Sequence, residues 1–219
     1  MIIVGICGGS GSRKSTFAER IRDGLSCSCE IMRLDCYYFD QGGKPFEERT
    51  KVNYDSPKIF DFDEMLADIR LLLDGKPVTR KGYNYVEHRR DDSEELMYPP
   101  EVLIIEGIHV FYDDRICDAM NLKLFIKVDS DICLLRRIAR DMNERGRSLE
   151  SISEQYKATV KPMREKYIDR YIDKADVVVM RGGMNEQALK TTISYLKSCV
   201  KEQRLAESEK NESDGNDSE

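Results

Sequence analysis

A doubly wound α/β fold, built on a parallel sheet with helices on both faces, is what the sequence predicts. Three observations lead there: five short apolar runs, polar segments of helix length between them, and a glycine-rich turn directly after the first run. The runs are Ile2 to Cys7, Ile31 to Leu34, Val102 to Ile105, Leu122 to Val128 and Val177 to Met180. They are rich in β-branched residues and too short for buried helices, as strands covered on both faces must be.

The first crossover helix is expected from Phe17 to Leu25. Helical periodicity is clearest over Phe60 to Leu73, where Phe62, Met65, Leu66, Ile69, Leu72 and Leu73 recur at steps of three and four, and Asp74-Gly75 stops it. Between this helix and the third strand, residues 76–100 mix Val78, Tyr83, Tyr85 and Val86 with turn and charged residues. That pattern reads as a β-hairpin excursion projecting from the sheet.

Length and composition set the outer bounds. The chain has 219 residues, 40% hydrophobic and 35% charged, which suits one soluble domain with small insertions. No apolar run is long enough to cross a membrane, and the start Met1-Ile2-Ile3-Val4 lacks the basic flank of a signal peptide, so a cytoplasmic protein is expected. Seven scattered cysteines without paired spacing argue against disulfides or a zinc site. The net charge of −6 resides mostly in residues 205–219, whose six acids and one lysine predict a disordered acidic tail behind a domain spanning 1–204. Nothing in that balance suggests a nucleic-acid partner.

The chemistry starts at Gly8-Gly9-Ser10-Gly11-Ser12-Arg13-Lys14-Ser15-Thr16, between the first strand and its helix. A P-loop needs such glycines so that successive backbone N–H groups can wrap phosphates at a helix N-terminus. Lys14 is then placed for the β- and γ-phosphates of ATP, and Ser15 for Mg²⁺. One position departs from the pattern, because Arg13 stands where a glycine is expected. Two readings stand: Arg13 forces a left-handed backbone or intrudes on the phosphates, or it points to solvent and adds positive charge near them.

Asp35, at the carboxyl end of the second strand, reads equally as a general base for an attacking hydroxyl and as a helix cap. Glu106 ends the third strand in the position of an acid that steadies Mg²⁺. Arg136, Arg137 and Arg140 share one face of a helix, opposite Ile132, Leu135, Ile138 and Met142, and Arg145-Gly146-Arg147 follows. The arginines suit a lid over phosphates, with residues 140–155 as the lid region, although such a run taken alone is a solvated basic face.

Taken together, Asp35-Cys36-Tyr37-Tyr38, Asn53-Tyr54-Asp55-Ser56-Pro57, Tyr83 to His88, Ile105-Glu106-Gly107, Arg140-Asp141 through Arg147 and Arg181-Gly182-Gly183 give the chain a family likeness. With the P-loop in front of them, they resemble the uridine/cytidine kinase family, in the phosphoribulokinase-like branch of P-loop kinases. The resemblance implies a P-loop NTPase kinase fold and transfer of the ATP γ-phosphate, with Mg²⁺, to the 5′-hydroxyl of uridine or cytidine in pyrimidine salvage. It makes Asp35 the catalytic base and Lys14, Arg140 and Arg145 its phosphate-facing partners. It assigns Tyr38, Asp55, Tyr83, Tyr85, His88, Arg137, Arg147 and Gln155 to the nucleoside, and Arg181 and Gly182 to ATP. A homotetramer is implied in the same way.

Read from the residues alone, Tyr83 and Tyr85 are packing residues of a hairpin and His88 is a lone histidine. The competing functions are a nucleoside-monophosphate kinase, a small-metabolite kinase of the same branch, and a binding module impaired in turnover by Arg13.

Overall fold

A computed structural model describes residues 1–216, with side chains described to Glu209. In chain order its elements begin with β1 (Ile2–Cys7), α1 (Lys14–Gly24), β2 (Cys29–Arg33), α2 (Phe46–Arg49) and α3 (Phe62–Leu73). There follow β3 (Val78–Asn84), β4 (Arg89–Met97), β5 (Val102–Gly107), α4 (Asp114–Asp118) and β6 (Leu122–Ile126). The chain continues with α5 (Ser130–Arg145), α6 (Leu149–Gln155), α7 (Lys161–Lys166), β7 (Val177–Val179) and α8 (Glu186–Asn216).

Every residue of β1 and of β5 is buried, as strands at the centre of a sheet covered on both faces must be. They pair in parallel within a five-stranded sheet of order β2-β5-β1-β6-β7. Register decides what meets at the sheet edge: Cys7 lies opposite Gly107, and Arg33 opposite Glu106. The P-loop, the acid that ends β5 and the segment after β2 therefore leave the sheet side by side, where open α/β sheets bind ligands.

Each face of the sheet has its own core. On one, Met65, Ile69 and Leu72 of α3 pack with Leu103, Ile105 and Phe111. On the other, Phe17 and Ile21 of α1 and Leu189 and Leu196 of α8 pack with Val4, Ile6 and Ile104. Burying each such side chain contributes about 1.5–3 kcal/mol. The helix α3 starts where Asp61 accepts the Glu64 N–H at 2.9 Å, and it ends before Gly75 at φ 76°.

The hairpin β3–β4 is a separate antiparallel sheet, as its sequence predicts. Its base, Val78 opposite Met97, is buried, and its register shifts between Lys81 and Tyr83. Element ends differ from expectation in two useful places. The helix α1 begins at Lys14, three residues before Phe17, because the end of the P-loop is already its first turn. Leu34 and Asp35 fall in a short 3₁₀ turn, Leu34–Tyr37, just beyond β2.

The acidic segment, expected to be disordered from residue 205, is described as a continuation of α8 through Asn216; residues 217–219 lie outside the described residues. A helix already nucleated propagates cheaply through Leu205, Ala206, Glu207 and Glu209. Gln203 Nε2 also donates to Glu207 Oε1 at 3.0 Å, and Ser208 Oγ to the Arg204 carbonyl at 2.9 Å. All seven cysteines are free, and no described helix is long and apolar enough to cross a membrane.

Candidate active site

The glycine-rich loop leaves β1 at Cys7 and closes onto α1. A Cβ on Gly11, whose φ is 85°, would lie 2.4 Å from the Cys133 carbonyl oxygen, so this turn admits no side chain. Arg13 has φ 66° and ψ 34°, the left-handed conformation that its sequence position demands, and its side chain is exposed. The turn is braced from outside. Gly183 donates its N–H to the Ser12 carbonyl at 3.2 Å and approaches the Arg13 carbonyl so closely that a Cβ there would lie 2.0 Å from it. Arg181 and Gly182, expected at the ATP site, lie in this brace with φ of 67° and 82°.

Two cavities flank the P-loop helix start. One, of about 500 Å³, runs from Gly11 and Arg13 through Thr16 to Arg136 and Asn143 of α5. The other, of about 180 Å³, opens toward the hairpin and is lined by Ser10, Asp35, Glu106 and the aromatic residues described below. Lys14, Ser15 and Arg140 line both. A phosphoryl donor in the first cavity and an acceptor in the second would meet at those three side chains.

Ser15 Oγ donates to Glu106 Oε1 at 2.9 Å. Glu106 is buried, and burial raises its pKa against the opposing pull of Lys14. A hydroxyl and a carboxylate are hard oxygen donors that fit Mg²⁺, which completes its shell with waters and phosphate oxygens. Among the described residues no cluster of three or more His, Cys, Asp and Glu could hold a metal without such help.

The hairpin brings its tip over the sheet edge. Tyr85 donates its hydroxyl to Asp35 Oδ2 at 2.6 Å, and the Arg145 guanidinium lies 4.3 Å from the centre of the Tyr85 ring. Behind them Tyr38 stacks on Phe60 with centroids 4.3 Å apart and meets Tyr83 at 4.7 Å. His88 stacks on Tyr54 at 5.2 Å. Its pKa is lowered by burial first, then by Arg147 and Arg145, which favours a neutral ring able to donate and accept.

The far wall is charged. Asp55 is buried, with Oδ1 3.6 Å from Arg137 Nη1 and Oδ2 accepting from Thr159 Oγ1 at 3.2 Å. Burial raises its pKa although Arg137 opposes the shift. Gln155 Oε1 accepts from Arg137 at 2.9 Å and from Arg147 at 2.5 Å. Asp141, fully buried, gathers Arg140 at 2.8 Å, Arg145 at 3.4 Å, Arg137 at 3.5 Å and Arg147 at 3.9 Å. One carboxylate thus holds four guanidiniums together. The helix α5 accordingly turns Arg137 inward and leaves Ile132, Leu135 and Met142 exposed, the reverse of an ordinary amphipathic helix.

All eight residues assigned to the nucleoside by resemblance line the second cavity, as do Asp35, Lys14, Arg140, Arg145, Ser15 and Glu106. Sequence reasoning missed Tyr54 and Arg33, which line it too, and Thr159, Asp141 and His109, which hold its walls. Tyr54 sits within a quoted motif, and His109, one of two histidines, follows Glu106-Gly107-Ile108 at the end of β5. Thr159 carries no local signal.

Residues 3–188 match the profile of the Phosphoribulokinase / Uridine kinase family. The uridine kinase of Ligilactobacillus salivarius (strain UCC118) is 41% identical over 201 residues, covering 91% of this chain and 94% of that protein. The uridine kinase of Streptococcus pyogenes serotype M5 (strain Manfredo) is 42% identical over 202 residues, 92% of this chain and 97% of that one. Among solved structures, phosphoribulokinase from Rhodobacter spheroides shares the fold at a TM-score of 0.59 with 12% identity, covering 82% of this chain and 69% of that chain.

Proposed function

The chain belongs to the Phosphoribulokinase / Uridine kinase family, and we propose that it moves the γ-phosphoryl group of ATP onto the 5′-hydroxyl of a pyrimidine nucleoside, uridine or cytidine. The observation that carries this reading is Asp35, which lies in one cavity with Lys14 and Ser15 on the donor side and with the aromatic and Asp55 wall on the other.

A ribose hydroxyl must lose its proton as it attacks phosphorus, and Asp35 is the carboxylate placed to accept it. Tyr85 occupies one of its oxygens and orients the carboxylate, leaving the other for the substrate. Asp55 offers a carboxylate to the ribose hydroxyls, the Tyr54–His88 stack a planar surface and a polar edge to the base, and Arg140 and Arg145 positive charge to the transferring group. Ser15 and Glu106 would hold Mg²⁺, which supplies charge neutralisation on the β- and γ-phosphates.

The base argues against a nucleoside-monophosphate acceptor, whose phosphate is already anionic and needs none. The stacked aromatics favour a flat ring over the sugar phosphate of a small-metabolite kinase. A binding protein impaired by Arg13 is the second reading, and the left-handed backbone at Arg13 is what favours it. Yet the side chain is exposed and the loop keeps a glycine-like conformation, so the strain of about 1–2 kcal/mol falls on folding more than on phosphate binding. The family likeness also supports a cytoplasmic homotetramer serving pyrimidine salvage.

The test is a coupled assay of ADP release with uridine, cytidine, adenosine, uridine monophosphate, ribulose 5-phosphate or no acceptor. Release dependent on uridine or cytidine is expected. Release with ribulose 5-phosphate alone would move the protein to another branch, and none with any acceptor would favour the impaired reading.

A further inference from the structure

His109 is fully buried, yet both ring nitrogens are engaged. Nε2 lies 2.7 Å from the backbone carbonyl of Asp55, and Nδ1 lies 2.9 Å from the Tyr171 hydroxyl. A carbonyl oxygen can only accept, so Nε2 carries the hydrogen, Nδ1 is bare, and Tyr171 donates to it. Four aromatic rings surround the imidazole: Tyr171 at 5.8 Å, Phe60 and Tyr167 at 5.9 Å and Tyr112 at 6.4 Å between centroids. This cage holds the ring neutral, with its pKa lowered to about 4 by burial.

The position of this ring in the chain gives it a consequence. His109 stands three residues after Glu106 on the segment that leaves β5, so one stretch of backbone carries the acid beside the P-loop and the donor that fixes Asp55. The Asp55 side chain is steadied separately by Arg137 and Thr159, from helices on the lid side. Among the described residues, the bond from His109 is the one that ties the Asp55 backbone to the sheet edge where phosphoryl transfer would occur. Tyr171 anchors the other side of the ring in the 3₁₀ segment Ile168–Lys174.

We propose that His109, oriented by Tyr171, is a positioning residue that sets the distance between the acceptor-binding carboxylate of Asp55 and the phosphate end of the site. This rests on the reading of Asp55 as part of the acceptor pocket. His109 lines neither of the two cavities. Its loss should therefore loosen acceptor binding while the donor side, built from the P-loop backbone, stays as it is.

The experiment compares His109→Leu, His109→Gln and Tyr171→Phe with the unaltered protein. Measured are KM for the accepted substrate, KM for ATP, kcat, and ATP affinity without acceptor. His109→Leu fills the cage but leaves the Asp55 carbonyl unpaired, and it should raise the acceptor KM about tenfold with both ATP constants changed less than about twofold. His109→Gln, whose amide can donate to that carbonyl, should recover most of the loss, and Tyr171→Phe should raise the acceptor KM roughly two- to threefold.

Equal loss on the donor and acceptor sides, or a Gln variant no better than Leu, would show a merely structural ring and overturn the proposal. An unchanged acceptor KM in His109→Leu would do the same. If the acceptor proves to be a sugar phosphate and the loss still falls on it alone, the nucleoside reading fails and the positioning role stands.

Discussion

The two halves of the site are built from different materials. The half proposed for the donor is backbone: a contiguous loop, Gly8 to Thr16, shaped by glycines, braced by Gly183 and fixed by the register of β1 with β5. The half proposed for the acceptor is side chains from separate segments: Asp35 after β2, Asp55 before α3, Tyr85 and His88 at the hairpin tip, arginines from α5 and Gln155 from α6. Backbone cradles tolerate substitution wherever the side chain can point away, as Arg13 does. A charged wall depends on each partner, because removing one leaves another buried and unpaired.

The sharpest way to break this contrast is Asp141→Ala. Four arginines would lose their shared carboxylate, at a cost of about 3 kcal/mol and roughly 6–12 °C in Tm for a domain of this size. ATP should restore part of the loss, since its phosphates supply the missing charge. A Tm within about 1 °C of the parent protein would mean that the arginines are solvated and independent.

A smaller change is expected at Arg13, where only local strain is at stake. Arg13→Gly should raise Tm by roughly 2–8 °C, corresponding to about 1–2 kcal/mol of relieved left-handed strain. ATP affinity should stay level or fall about twofold at low salt, as a positive charge near the triphosphate is lost. Tightening of ATP binding by tenfold or more would show instead that Arg13 distorts the cradle.

Glu106 gives the smallest effect and a signed pH dependence. Its pKa is raised in the folded chain, so the unfolded chain ionises first, from about 4.5. The folded state is therefore destabilised above that range and not below it. Glu106→Gln should raise the Tm of the nucleotide-free protein by a few degrees at pH 7.5 and leave it unchanged at pH 4. A Tm gain equal at both pH values would place the effect outside ionisation.

The same division explains what could be read in the sequence. Lys14, Ser15 and the strand-end acid are local features, and five apolar runs suffice to place them on one sheet edge. The acceptor wall is not local. Tyr83, Tyr85 and His88 look like hairpin packing until the hairpin is seen to fold over Asp35, and only the resemblance to a family named them. The helix α5 shows why periodicity alone misleads, since its apolar stripe is exposed and its arginines face a cavity gathered around Asp141. His109 escaped notice because a lone histidine after a strand is more often packing, and its two partners are 54 and 62 residues away in sequence.

The most direct test of the site is Asp35→Asn, followed by rapid-mixing transfer from ATP to uridine alongside calorimetric ATP binding. Loss of the base should slow transfer by on the order of 100-fold or more, with ATP affinity unchanged within about twofold, because a general base acts in the transition state and not in donor binding. Transfer at the parent rate in the Asn variant would remove Asp35 from the chemistry and contradict the assignment of this cavity as the acceptor site of a hydroxyl kinase.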